Sequence, residues 1–251
     1  MPTCRACGNF VPENQSCRRC GPVAMEHTLA ESVRVLPVAA TPLCPVRRPP
    51  TPRLIVLDDD SDQVGEVYWL RRTETRLGRH QSDIVIGHDP DISSCHAKIL
   101  REEREESGPA GYRWRLVDDD STNGTFVRQS TIKLDADTTF LLGGVPVVWR
   151  KLDEHGTSLL QIGDRPADRL TTSMTQPILL GRDPRACQIA WENSWLDERH
   201  AILTWRQGHW YAEDQQTVNG LWAAVRDYVL PDQGRFILGE QRFLFQMPTA
   251  K

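Results

Sequence analysis

Two stretches of the chain set out the same residue framework with one change of chemistry. Residues 91 to 96 read DISSCH and residues 195 to 200 read WLDERH. Upstream of each lies a Gly-Arg pair, Gly78-Arg79 and Gly181-Arg182. Downstream of each lies an Asn-Gly pair, Asn123-Gly124 and Asn219-Gly220. Three residues before the histidine, the first stretch has Ser93 and the second has Asp197. A serine hydroxyl both donates and accepts hydrogen bonds, whereas an ionised carboxylate only accepts them. The two frameworks are therefore built for different partners.

The correspondence extends well beyond these residues. RLGR at 76–79 matches LLGR at 179–182, SSCHAKIL at 93–100 matches DERHAILT at 197–204, STNGTFV at 121–127 matches TVNGLWA at 217–223, and TFLLGG at 139–144 matches RFILGE at 235–240. A repeat of this length indicates two complete domains and not a solenoid of short units. Both copies consist of strand-like runs, such as LIVL, EVYWL, AKILRE and VPVVW. Tyr112-Arg113-Trp114-Arg115-Leu116 alternates with period two, and turn residues recur every ten or so positions. That pattern predicts β-sandwiches. The acidic stretch REEREESGPAG is expected to be a hairpin tip.

A third group of reactive residues opens the chain. In CRACGNFVPENQSCRRCG the pairs Cys4/Cys7 and Cys17/Cys20 are each followed by glycine. Two such turns present four soft thiolates, a set that suits one structural Zn²⁺ and leaves no open position for catalysis. The segment, residues 1–21, resembles a small zinc ribbon, and so short a piece needs a metal to fold. Residues 22–52 are proline-rich and end in RRPPTP, the composition of an extended linker. A short helix over residues 25–35 is an expectation there.

Gly-Arg, then Ser-x-x-His, then Asn-Gly-Thr, in this order and repeated, resembles the forkhead-associated (FHA) domain. The first copy covers residues 53–152 and the second residues 157–248. The resemblance implies an all-β chain of two tandem sandwiches, eleven strands in each, that bind phosphothreonine peptides on loops and catalyse nothing. It assigns Arg79, Ser93 and Thr122 to the phosphate and Asn123 to the peptide backbone, and Ser94 stands beside Ser93 as a further hydroxyl for the phosphopeptide. It gives structural roles to Gly78, His96, Gly124, His200 and Asn219. Many family members have arginine where this chain has Ser94, so one cation of the rim is missing. The implied partner is a Thr-phosphorylated protein, a Ser/Thr kinase or its substrate.

The second copy keeps the frame without the receiving groups. Asp197 and Glu198 stand beside the phosphate position, and Val218 replaces the hydroxyl of Thr122. At ~5 Å and an effective dielectric of ~20, each pair of like charges repels by roughly 3 kcal/mol. Arg182 is expected to pair with Asp197. Most of Trp191, Trp195, Trp205, Trp210 and Trp222 are expected in the core, with one or two left as an exposed patch.

Composition narrows the alternatives. The 251 residues are 39% hydrophobic and 25% charged, with formal net charge −4. Residues 1–57 hold seven Lys or Arg against three Asp or Glu, so the rest of the chain carries the acidic excess. A zinc ribbon on a basic arm raises nucleic-acid binding as an alternative, but the excess is small and Phe10 is the one aromatic in the knuckles. Seven cysteines and no apolar leader predict a reduced, cytoplasmic protein with no membrane span. No phosphate loop, nucleophile elbow or kinase signature occurs. His88, Asp89, Asp91 and His96 make a weak metal candidate.

Overall fold

The computed structural model describes residues 3–4, 7–11, 16–19, 51–57, 64–103, 112–135, 137–171 and 176–248. The chain divides into two compact units, Met1–Arg47 and Arg48–Lys251. In the first unit, Thr3 bridges Phe10 in antiparallel fashion. The turn between them closes with Cys4 N–H donating to Asn9 O at 2.7 Å and Gly8 N–H donating to Cys4 O at 2.8 Å. Gly8 has a φ of 72°, which the turn requires. Cys20 and the linker helix expected over 25–35 lie outside the described residues, as does most of the hairpin tip at 104–111.

The second unit is all β among its described residues. Its strands are β1 (Arg53–Leu57), β2 (Val64–Trp69), β3 (Glu74–Gly78), β4 (Ile84–Val85), β5 (Ala97–Glu103), β6 (Tyr112–Asp118) and β7 (Thr125–Gln129). Then come β8 (Thr131–Leu134), β9 (Thr138–Leu142), β10 (Val145–Lys151), β11 (Ser158–Ile162), β12 (Asp168–Leu170), β13 (Ile178–Gly181) and β14 (Ile189–Ala190). The last are β15 (Ala201–Arg206), β16 (His209–Asp214), β17 (Leu221–Val225), β18 (Asp227–Val229), β19 (Gly234–Leu238) and β20 (Gln241–Gln246).

Strand pairing does not follow the division into self-contained copies at 53–152 and 157–248. One five-stranded sheet runs β18-β6-β5-β3-β4, so a strand of the second copy borders a sheet of the first. The other runs β14-β13-β15-β16-β8, with the reverse exchange. A ten-stranded sheet, β12-β11-β10-β9-β17-β7-β19-β20-β1-β2, backs both. Each sandwich thus packs five described strands on five. One is built from residues 53–129 and 227–246, the other from 131–225. The copies have traded their last three strands.

The chain itself explains the exchange. β7 and β8 are separated by Ser130 alone, and β17 and β18 by Arg226 alone. A hairpin needs at least two loop residues, so one residue cannot reverse the chain. TFVRQSTIKL and LWAAVRDYVL hold no glycine or proline to break them. Each run therefore passes straight from one sandwich into the next. β7 and β17 pair antiparallel at the crossing, from Thr125↔Val225 to Leu221↔Gln129.

Both cores are joint products. In the first, Trp114 packs on Phe245 with ring centroids 6.0 Å apart. In the second, Trp149 packs on Trp210 at 5.9 Å. Each pair has one member from each copy. The expectation for the tryptophans holds in outline: Trp210 and Trp222 are buried, Trp191 and Trp205 pack partly buried on the core, and Trp195 is 44% exposed.

Candidate functional site

Three loops meet at one end of the first sandwich. Arg79 follows β3, residues 86–96 join β4 to β5, and residues 119–124 join β6 to β7. Gly78 lets two of them touch, since a Cβ there would lie 2.3 Å from the carbonyl oxygen of Ser94. Next to it Arg79 N–H donates to Ser93 O at 2.9 Å.

His96 ties the loops together from below. It is fully buried. Ser93 N–H donates to its Nδ1 at 3.1 Å, and its Nε2 lies 3.0 Å from Gly124 O. The neutral ring with its proton on Nε2 satisfies both contacts, because Nδ1 must accept and Nε2 must donate. Burial pushes the imidazole below its ordinary value, and the Gly124 carbonyl, Asp118 and Asp89 only partly offset that. Asp118 braces the other side. It accepts from Ser121 Oγ and Thr125 Oγ1, each at 2.6 Å. Burial acts to raise this carboxyl, but the hydrogen bonds of Ser121 and Thr125 outweigh it and hold it low.

The expected receiving groups come together on this base. Ser93 Oγ accepts the N–H of Thr122 at 3.1 Å, which leaves its own proton to give. Ser93 Oγ and Thr122 Oγ1 are 3.5 Å apart, too far for a strong bond, so both can turn to a common partner. Ser94 is exposed beside them. Asn123 Nδ2 donates to Asp91 O at 2.9 Å, which fixes the amide at the rim. Arg79 Nη1 donates to Pro90 O at 3.1 Å, while its buried Nε makes no hydrogen bond. Asp83 is engaged by Arg72 and by the Arg76 N–H, so it does not claim Arg79. Asp89 accepts the N–H groups of Asp91 and Glu240, both at 2.8 Å. It is therefore a loop anchor and not a metal ligand beside His88.

Glu240 reveals what sequence reasoning missed. The site is completed by strands of the second copy. Arg226 reaches Asp120 at 3.2 Å, and its carbonyl accepts the Asp118 N–H at 2.9 Å. A groove of about 310 Å³ runs from Thr122 and Asn123 to Ala224, Val225 and Arg226. The signal was present in the missing turn at residue 226.

The second sandwich repeats the base. Asp197 N–H donates to His200 Nδ1 at 3.1 Å, and His200 Nε2 lies 3.0 Å from Gly220 O. Asn219 Nδ2 donates to Trp195 O at 3.0 Å. Where Ser93 bridges to Thr122, Asp197 Oδ2 accepts the Val218 N–H at 3.2 Å. The expected Arg182–Asp197 ion pair is not made among the described residues. The contact there is Arg182 N–H to Asp197 O at 2.9 Å, with the Arg182 side chain exposed. The Asp197 carboxylate is occupied by the loop backbone instead. Val218, 80% exposed, presents a methyl surface where the first site has a hydroxyl.

A search of family models matches the FHA domain twice, at residues 75–142 and 178–239, together just over half of the chain. The chain belongs to the FHA domain family. Structural neighbours of this FHA protein include the FHA domain of CT664 from Chlamydia trachomatis, 14% identical, with TM-score 0.34 over 80% of this chain and 99% of that one. EmbR of Mycobacterium tuberculosis, in complex with a low affinity phosphopeptide, is 14% identical with TM-score 0.32 over 79% of this chain and 25% of its own. The yeast Dun1 FHA domain, in complex with a doubly phosphorylated peptide, is 15% identical with TM-score 0.35 over 82% and 81%. No curated protein matches the sequence.

In the N-terminal unit, the sulfurs of Cys4, Cys7 and Cys17 all lie within 4.8 Å of one another. Cys7 Sγ and Cys17 Sγ are 3.6 Å apart. Two thiolates each ~2.3 Å from a tetrahedral zinc stand about 3.8 Å apart, so the spacing fits a shared metal ion. No described helix is long and apolar enough to cross a membrane.

Proposed function

We propose that the FHA protein is an adaptor that binds phosphothreonine on a partner, a Ser/Thr kinase or its substrate, through the first sandwich. The observation that carries this is the convergence of three loops that sets Arg79, its N–H bonded to Ser93 O, with the hydroxyls of Ser93 and Thr122, which keep protons to give. A phosphothreonine brings close to two negative charges and three acceptor oxygens. Arg79 supplies charge and a planar fork, Ser93 and Thr122 supply hydroxyl donors, and Ser94 adds one at the rim. Asn123 holds the peptide backbone in register. Binding and positioning are the whole task, and no residue of the site is assigned to catalysis.

The second sandwich does not receive phosphate on this reading. Its carboxylate repels the ligand, and Val218 offers no donor. The test is calorimetry on the full chain with a phosphothreonine peptide library. Arg79→Ala should cost about 2–3 kcal/mol of binding, and Arg182→Ala should cost nothing measurable. Equal affinity for phosphorylated and unphosphorylated peptides would overturn the reading.

The N-terminal unit is proposed to hold one structural Zn²⁺ through Cys4, Cys7, Cys17 and Cys20. The close approach of three of these sulfurs supports it. Protein purified under reducing, zinc-replete conditions should contain about one zinc per chain. A content near zero would refute the assignment.

A further inference from the structure

The seam of strand exchange carries a second cluster of donors, away from the phosphothreonine loops. An open depression of about 390 Å³ is lined by Arg128, Tyr228, Pro231, Gln233, Gly234 and Arg235. Arg128 belongs to the first copy, and the other five belong to the second.

Its donors lack acidic partners. Neither Arg128 nor Arg235 makes an ion pair among the described residues. Arg128 is half-buried, and its Nη2 donates to Thr217 O at 2.7 Å. It is seated closely, since a Cβ on Gly220 would lie 2.7 Å from its Nε. Burial lowers the Arg128 pKa, and the like charges of Arg235 and Arg242 lower it further, against the pull of Asp214. The nearby carboxylate of Asp232 already accepts the N–H groups of Gln233 and Met247, both at 2.9 Å. Tyr228 Oη accepts from Gln129 Nε2 at 3.0 Å, which leaves the phenol proton to donate.

We propose that this depression is an anion site for a phosphoryl or pyrophosphoryl group, distinct from the phosphothreonine site. The Arg235 fork, the N–H groups that Thr217 leaves on Arg128 and a phenol need several acceptor oxygens at once, which a phosphoryl group has and a single carboxylate has not. An anion there relieves the repulsion among the arginines. It also bears on the loop of the second sandwich, because Arg128 holds the carbonyl of Thr217 next to Val218.

The test titrates the full chain with inorganic pyrophosphate by calorimetry at constant ionic strength. Saturable binding is expected, unchanged in Arg79→Ala and weakened at least tenfold in Arg235→Gln and in Tyr228→Phe. Arg235 is exposed and its replacement should leave the melting curve in place, so loss of binding there is not loss of fold. A phosphothreonine peptide added to Arg79→Ala forms a second arm. Residual binding that disappears with Arg235→Gln would assign the phosphoryl group to a peptide instead of a free anion. Absence of saturable pyrophosphate and peptide binding in Arg79→Ala, or binding indifferent to Arg235→Gln, would overturn the proposal. Neither result touches the role of Arg79 in the first site.

Discussion

One facing hydrogen bond is kept in both FHA loop systems while the group that accepts it changes from hydroxyl to carboxylate. Ser93 and Asp197 make the same hydrogen bond to the facing loop, to Thr122 N–H at 3.1 Å and Val218 N–H at 3.2 Å. The serine then has a proton left for a ligand and the aspartate has a charge left against one. The paired histidines explain why the loops survive this change, since their contacts are internal. His96 gives a prediction at this scale. Its folded pKa is lowered, so the unfolded chain binds the proton more readily. Its contribution to stability is complete above the unfolded value of about 6.5 and is lost as pH falls through that value toward the folded one. Nitrogen-detected NMR should find His96 still neutral and protonated on Nε2 somewhat below pH 6.5. An imidazolium at that pH would refute it.

At the scale of elements, the β9–β10 and β19–β20 hairpins are the keystones. Each belongs to one copy and supports the loops of the other. Gly239 and Glu240 sit on Asp89 of the first sandwich. Gly143 sits on the second, where its N–H donates to Gly220 O at 2.9 Å. Gly143 has a φ of 63°, and a Cβ there would lie 2.3 Å from the carbonyl oxygen of Trp195. Gly143→Ala should therefore destabilise the protein by about 1–3 kcal/mol, from strain and clash together. Gly144→Ala is the comparison, since φ is also positive there but nothing lies within 4 Å. Urea denaturation of both variants decides the matter, and equal midpoints would show that the hairpin contact adds nothing. Asp89→Ala should cost about 1–3 kcal/mol in the same assay, because two backbone donors lose their acceptor.

At the scale of the molecule, the exchange makes the two FHA domains one folding unit. Residues 53–152 alone would lack β18 at the edge of β6 and both partners of β7, and residues 157–248 alone would lack β8 to β10. Cross-linking reads the pairing directly. Lys133 of β8 faces Tyr211 of β16. Lys133→Cys with Tyr211→Cys should form an intramolecular disulfide on oxidation. Self-contained copies would instead bring Lys133 beside β6, so a cross-link in Lys133→Cys with Arg115→Cys, and none in the first pair, would refute the exchange.

The strand periodicity, the repeat and the order Gly-Arg, Ser-x-x-His, Asn-Gly were legible in the sequence. They carried the FHA family and the all-β class, because local residue types determine which face of a strand is buried and which turns can close. The residues proposed to receive phosphate were picked out for the same reason: each lies within a few positions of a turn glycine or a buried histidine. Which copy completes which sandwich was decided only by the tertiary structure. Phe140 and Phe236 are repeat equivalents, as are Trp149 and Phe245, and all four are buried in the exchanged arrangement. Either pairing buries the same apolar face, so hydrophobic pattern cannot choose between them. The choice falls to Ser130 and Arg226, single residues too short to turn the chain back. The fate of Arg182 was settled in the same way, since the Asp197 carboxylate was taken by a backbone N–H from a loop twenty-one residues along.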